Sequence, residues 1–127
     1  MINEFRANHG KVGGMFAAMP MLLLTTRGAR SGSERVNPVA YTRDGENLVV
    51  IASKGGAPTS PGWYHNLIAG REAVVEVGDE RFRVQARMPE GDERDRLYAV
   101  HAAAMPQFAE YQRRTTRRIP VVVLHRV

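Results

Sequence analysis

The sequence predicts a mainly β chain of the α+β class: an antiparallel barrel with peripheral helices. Three observations carry that prediction. The pairs Asp44-Gly45 and Gly78-Asp79 each lie between apolar or alternating segments and close hairpins. Segments of β and α character run in the order β-β-β-α-β-β-α-α-β, which leaves too few helices to cover both faces of a parallel sheet. A length of 127 residues, without repeats or low-complexity stretches, makes one domain able to bury about two-thirds of its unfolded surface.

Residues 2–9 fit a short helix, and Gly10, Gly13 and Gly14 loosen the chain beyond it. Residues 1–20 therefore read as a candidate helical arm or lid beside the core of a single domain, 1–127. Met21–Arg27 is short, contains the β-branched pair Thr25-Thr26 and stops at Gly28, the pattern of a buried strand. Residues 28–33 form a tight polar loop. Residues 35–43 give a second strand, with Val36, Pro38 and Ala40 on one face and Asn37, Val39 and Tyr41 on the other. Pro38 has no N–H and so marks an edge or a bulge. In residues 47–52 the run Leu48-Val49-Val50-Ile51 predicts a strand buried on both faces.

Residues 53–62 make a ten-residue loop, longer than the usual four to six or so, and loops of that length often carry function. Next comes a helix over 63–69, stopped by Gly70. Strands over 73–77 and 81–88 pair around Gly78-Asp79. In the second, Phe82, Val84, Ala86 and Met88 alternate with Arg81, Arg83, Gln85 and Arg87, one dry face and one wet. Residues 92–105 predict a helix with acids in its first turn and an apolar stripe of Leu97, Val100 and Ala104. Pro106 breaks it, residues 106–118 continue as a second helical piece, and 120–126 supply a last buried strand.

Composition narrows the function classes. With 43% hydrophobic and 24% charged residues the chain is neither disordered nor fibrous. The absence of cysteine excludes disulfide frameworks, thiolate metal sites, iron–sulfur clusters and cysteine nucleophiles, and it fits a reducing cytoplasm. The net charge of +5 comes from 18 Lys plus Arg against 13 Asp plus Glu, and 16 of the 18 are Arg, a planar fork suited to phosphate and carboxylate. Residues 1–43 hold six basic and two acidic groups, so a bound anion belongs there first. No recognition helix, zinc finger or aromatic RNA-binding motif accompanies the charge, and a nucleic-acid partner is not expected. The longest apolar run, residues 15–24, is ten long and interrupted by Pro20, short of the roughly 20 a bilayer span needs. It reads as a helix end entering a buried strand, with contact at the inner face of the cell membrane as the other option.

The familiar catalytic motifs are missing. Gly10, Gly13 and Gly14 lack dinucleotide-binding spacing, residues 28–33 have no P-loop Gly-Lys pair, and Ser31 sits in no nucleophile elbow. His9, His65, His101 and His125 are scattered, so no metal site is expected. His101 reads as a helix-surface or satisfied core histidine. Two loops remain. Arg27, Arg30 and Arg35 flank Gly28, Ser31, Gly32 and Ser33, a composition that presents guanidinium forks and backbone N–H groups to a phosphate, or equally a solvated turn. Ser53-Lys54-Gly55-Gly56 is a second such loop, succeeded by the aromatic and hydrogen-bonding cluster Trp63-Tyr64-His65-Asn66.

Five pieces in this order resemble one family. The stretch from Leu23 to Gly32, Arg35-Val36-Asn37-Pro38, Ala52-Ser53-Lys54-Gly55-Gly56, Pro61-Gly62-Trp63-Tyr64-His65-Asn66-Leu67 and Arg118-Ile119-Pro120-Val121-Val122-Val123 are similar to the deazaflavin-dependent nitroreductases. The resemblance implies a split β-barrel of the FMN-binding type that uses coenzyme F420, an 8-hydroxy-5-deazaflavin, as hydride donor. It implies cofactor contacts from Arg30, Ser31, Gly32, Arg35, Val36, Asn37 and Pro38, with the basic groups and Lys54 near the phosphate or the acidic tail. Ile51, Ala52 and Ser53 would lie along the ring, and Gly62, Trp63, Tyr64, His65 and Asn66 would complete the pocket. The acceptor would be a quinone, nitro compound or activated enone, positioned by the protein while the coenzyme supplies the chemistry. Tyr111 falls where the family places a tyrosine near the substrate and is the candidate hydrogen-bond or proton donor, with packing on the barrel as its other reading. Phe108 stands where some members have another tyrosine, and Arg113 and Arg114 make that wall more basic, departures that count against nitroimidazole activation in particular. Tyr41 is a further candidate on the substrate side. Apart from the resemblance, a cytoplasmic monomer or weak homodimer is expected. The competing readings are an FMN-binding reductase, a non-catalytic deazaflavin carrier and, resting only on net charge, a small nucleic-acid-binding barrel.

Overall fold

The computed structural model describes residues 2–7 and 20–127. The sequence expectations for residues 8–19, including the glycine cluster, His9 and the start of the apolar run, lie outside them. The elements are α1 (Ile2–Ala7), β1 (Met21–Arg27), β2 (Glu34–Asp44), β3 (Asn47–Ile51), α2 (Gly62–Gly70), β4 (Glu72–Val77), β5 (Glu80–Arg87), α3 (Gly91–Ala104), α4 (Gln107–Arg113) and β6 (Val121–Arg126). The six strands close into an antiparallel barrel in the order β1-β2-β3-β6-β5-β4.

Strand alternation separates two cores. Leu22, Leu24, Val39, Leu48, Val50, Val75, Val84, Val122 and Leu124 point inward and fill the barrel together with Trp63 and Leu67 of α2. The opposite faces of β1, β2, β3 and β6 present Met21, Leu23, Ala40, Val49, Ile51, Val121 and Val123 to Leu97, Tyr98, Met105 and Phe108 of the α3–α4 region. This explains why β1, β3 and β6 read as continuous apolar runs, whereas β5, uncovered outside, alternates. Phe5 of α1 is only 1% exposed and joins the outer core, and Arg6 pairs with Glu76 of β4 at 2.9 Å. Residues 2–7 are therefore part of the packing and not an arm apart from it. Residues 21–24 of the apolar run are buried in these two cores. Among the described residues no helix is long and apolar enough to cross a bilayer.

Three local expectations are corrected by the structure. The helix expected to stop before Gly70 includes it, and the left-handed residue after it is Arg71, φ 61°. Arg71 takes that conformation as the chain turns into β4, where its carbonyl accepts the Ala86 N–H at 2.8 Å. On α3 the buried stripe is Arg94, Leu97, Tyr98 and His101, while Val100 is 47% exposed and Ala104 also faces out. The second helical piece, expected over 106–118, is confined to Gln107–Arg113.

Pro38 does lie at an edge. β2 pairs with β1 along residues 34–40 but with β3 only along 41–44. The Tyr41 N–H bonds back to Pro20 at 3.0 Å, so by strand alternation the backbone N of residue 38 faces away from β1, toward the side where β3 has ended. A residue without an N–H leaves no donor unpaired there.

Candidate functional site

Where β2 loses its β3 neighbour the barrel opens into two clefts. The wider one, about 1140 Å³, runs between the 28–31 turn, residues 34–38 of β2 and the start of α2. The narrower one, about 270 Å³, is walled by Met21, Ala40, Ile51, Phe108 and Tyr111 and by the Ser53-Lys54-Gly55 loop. Pro38, Pro61 and Trp63 line both, so the two clefts adjoin there.

The wall of the wider cleft is set by a hydrogen-bonded turn. Gly28 N–H donates to Ser33 O at 2.7 Å, Gly32 N–H to Gly28 O at 2.9 Å and Ser33 N–H to Ser31 Oγ at 3.2 Å. A Cβ on Gly28 would lie 2.7 Å from Ser31 Oγ, so a larger residue there would displace the hydroxyl that accepts the Ser33 N–H. Asn66 fastens the turn to α2 by accepting the Ala29 N–H through Oδ1 and donating Nδ2 to Thr26 Oγ1, each at 3.0 Å. Its amide is thus engaged by the protein on both ends. Arg30 and Arg35 project from this frame.

Carboxylates engage only some of the arginines. Arg6, Arg87, Arg94, Arg96, Arg113, Arg118 and Arg126 each pair with a carboxylate. Arg30, Arg35 and Lys54 line the clefts and have no acidic partner among the described residues, although Glu34 lines the wider cleft with them; Arg27, Arg71 and Arg117 away from those walls bond to oxygen or sulfur acceptors other than carboxylates. Lys54, Gly55 and Gly56 have φ values of 47°, 65° and 84°, three consecutive residues in the left-handed region. For lysine this costs about 1–2 kcal/mol, and strained backbone of this kind gathers at functional sites. A Cβ on Gly56 would stand 2.8 Å from Tyr111 O and 3.1 Å from Tyr111 Cα, so the loop rests directly on the α4 backbone. Phe108 and Tyr111 meet edge to face with centroids 5.2 Å apart, and the Arg114 guanidinium stands 5.9 Å from the Tyr111 ring. The Tyr98 hydroxyl donates to Phe108 O at 2.5 Å and ties this wall to α3.

Most of the expected residues come together. Arg30, Ser31, Arg35, Val36, Asn37, Pro38, Gly62, Trp63, His65 and Asn66 line the wider cleft, and Ile51, Ser53, Lys54, Phe108 and Tyr111 the narrower one. Four do not reach either. Gly32, φ 71°, shapes the turn without forming the wall. Ala52 is buried in the barrel interior, and Tyr41 packs against that same interior cluster beneath Arg43. Tyr64 lines a separate cavity of about 420 Å³ with Met88, Arg94 and Arg118. One residue with a clear part in the site carried no sequence signal: Arg117, whose guanidinium holds the Gly-rich loop from beneath. His101 is fully buried, with Nδ1 3.0 Å from Thr42 Oγ1 and its ring 4.4 Å from that of Phe108. Its Nε2 has no partner among the described residues, and burial pushes its pKa down to about 4. Among the described residues no three His, Asp or Glu side chains converge as metal ligands.

Fold and site together define a six-stranded barrel with a cleft lined by Arg30 and Arg35 beside a more apolar one. Comparison with known proteins makes this specific. The family model described as F420H(2)-dependent quinone reductase matches residues 1–126. An F420H(2)-dependent quinone reductase of Mycobacterium tuberculosis is 42% identical over 126 residues, covering 96% of this chain and 85% of the relative. Among solved structures, an F420-H2 dependent reductase, FDR-A, superposes with a TM-score of 0.77 at 38% identity over 84% of this chain and 94% of its own. A domain-swapped dimer superposes with a TM-score of 0.79 at 36% identity, over 98% and 91%. The chain belongs to the F420H(2)-dependent quinone reductase family.

Proposed function

We propose that the protein is a reductase that holds reduced coenzyme F420 across the two clefts and delivers two electrons to a quinone-type acceptor. The observation that carries this is the placement of Arg30, Arg35 and Lys54, none of them held by a carboxylate among the described residues, on the walls of a polar cleft that adjoins an apolar one. The coenzyme has a phosphodiester, a glutamate tail and a flat ring, and the residues fit each part. Arginine forks and a Gly-Ser turn suit the anionic groups, and Ile51, Phe108 and Trp63 suit the ring. When bound, the reduced deazaflavin supplies a hydride from C5.

The chain's own part is to bind, orient and shield. Arg30 and Arg35 hold the phosphate against a turn that Asn66 keeps closed. Lys54 reaches the anionic part of the coenzyme from the loop side. Met21, Trp63 and Phe108 keep water from the narrow cleft, which strengthens every polar interaction made inside it. Tyr111 Oη donates a hydrogen bond to the acceptor oxygen on which negative charge develops, or gives it a proton that solvent then returns to the phenolate. The solved domain-swapped dimer supports a homodimer as the state to test against a monomer, and light scattering decides between them.

Fluorescence titration of the purified protein with F420, continued after reduction of the coenzyme by addition of menadione, tests this reading. Saturable binding with reoxidation faster than the protein-free control is expected. Binding without turnover would turn the reading to a carrier, and failure to bind F420 would overturn it.

A further inference from the structure

We propose that Arg117 is the positioning residue of the Gly-rich loop: one guanidinium fixes the backbone from which Ser53 and Lys54 face the narrow cleft. The functional half of this inference rests on the F420 reading above. Arg117 Nε donates to Ala57 O at 2.8 Å, Nη1 to Ser60 Oγ at 3.2 Å, and Nη2 to Ala52 O at 3.0 Å and Ser53 O at 2.9 Å. All four acceptors belong to residues 52–60, about 60 positions earlier in the chain. No carboxylate faces the group among the described residues, so the planar fork is used entirely to gather loop oxygens.

Peptide geometry turns this into a statement about the cleft. A trans peptide carries its N–H opposite its C=O. A guanidinium that collects the carbonyls of Ala52 and Ser53 therefore turns the N–H groups of Ser53 and Lys54 away from itself. The cleft is lined by Ser53 and Lys54 and not by Arg117. The same clamp, acting on Ser53 and Ala57 at either end of the left-handed run 54–56, keeps Lys54 at φ 47° when a relaxed loop would release it.

Arg117 is itself held in place. Its carbonyl accepts Gln112 Nε2 at 2.8 Å, and Gln112 Oε1 accepts Arg94 Nη2 at 2.8 Å and the Ile119 N–H at 3.1 Å. Arg94 also donates twice to Ile119 O. The clamp is thus braced by α3, α4 and the approach to β6, elements of the outer layer that line the cleft only through Gln107, Phe108 and Tyr111. Burial pulls the Arg117 guanidinium below the usual arginine range, the mark of a cation kept where water solvates it poorly.

The test uses the full chain with Arg117→Met and the charge-conserving Arg117→Lys, whose single ammonium cannot reach all four oxygens. Amide hydrogen exchange is read first, without cofactor, at Gly56 and Ala57, whose N–H groups bond to Ser53 O and Lys54 O. Both variants are expected to exchange about tenfold or more faster there while β3 and β6 keep their protection. Affinity for F420 is expected to fall about 10- to 100-fold in both, the equivalent of one or two lost charge-assisted hydrogen bonds. The loss is expected to shrink in a Lys54→Ala background, since the clamp acts partly through that side chain. Protection that is unchanged, or lost uniformly through the barrel, overturns the positioning role. Full rescue of affinity by Arg117→Lys overturns it also, because charge alone would then suffice. Wild-type protein that fails to bind F420 would refute the cofactor reading instead, and the exchange data would still support or overturn the clamp.

Discussion

Acidification should destabilise this protein through one histidine. His101 is 0% exposed, bonds through Nδ1 to Thr42 and faces no carboxylate through Nε2, so its charged form is strongly disfavoured in the fold. Its folded pKa is about 4 against 6.5 for a solvated imidazole. Between those values the unfolded chain binds the proton that the native state refuses, so native stability is intact above pH 6.5 and declines as pH falls toward 4. A full gap of that size is worth about 3 kcal/mol, and about 2 kcal/mol of it is lost between pH 8 and 5. Glu93 and Asp95, held below their usual ranges first by hydrogen bonds from Arg87 and Arg94, lose their contributions only at lower pH. The assay is urea denaturation at pH 8, 7, 6 and 5, monitored by the fluorescence of Trp63, the single tryptophan and a buried one. His101→Asn retains a hydrogen-bonding group near Thr42 and cannot titrate. Its stability should vary by about 2 kcal/mol less over the same range, whatever its absolute value. Parallel pH profiles for wild type and variant would refute the reasoning.

Other substitutions address the clefts. Lys54→Ala and Lys54→Gly should both weaken F420 binding, but only the glycine variant relieves the left-handed backbone, so it should be more stable than the alanine variant by about 1 kcal/mol in thermal melts. Unchanged affinity in either would remove Lys54 from the anion site. Gly56→Ala should cost about 2 kcal/mol or more, because its Cβ meets the Tyr111 carbonyl as well as an unfavourable φ, whereas Gly55→Ala meets open space and should cost only the strain. Equal melting temperatures for these two would mean that the loop does not rest on α4. Tyr111→Phe should lower kcat for menadione reduction at least tenfold while leaving the Kd for F420 within about twofold; equal kinetics would return Tyr111 to a packing role.

The strands were legible because each carries its burial in its own residues. β1, β3 and β6 are apolar on both sides since each separates two cores, and β5 alternates since only one of its faces is covered. Helix α3 was misread because a rule that ranks residues by polarity cannot see a buried Arg94 or His101, and both are inside only because distant groups receive them. Arg94 finds Ile119 O and Gln112, and His101 finds Thr42. Residues 114–118 failed in the same way: in Arg-Thr-Thr-Arg-Arg nothing local marks Arg117 as the one whose acceptors lie beneath a loop some 60 residues away. Alternation along β2 separated Tyr41 from Val36, Pro38 and Ala40 but did not say which face is inward, and the doubly apolar β3 gave no face to Ala52; which side opens into a cleft depended on where β3 stops pairing.

The seam between the clefts is built from Pro38, Pro61 and Trp63. Proline rings have almost no rotameric freedom left to surrender, and an indole that is 7% exposed has already surrendered its own during folding. A ligand that bridges the two chambers therefore freezes little at the point where it bends from one to the other. In the proposed complex the side chains left to order are those at the rims, Arg30 and Arg35 on one side and Lys54 on the other, which are long and flexible. The junction behaves as a preformed mould and the rims as adjustable grips. Variation at the rims can thus retune which tail or acceptor is held without disturbing how the middle of the ligand is seated.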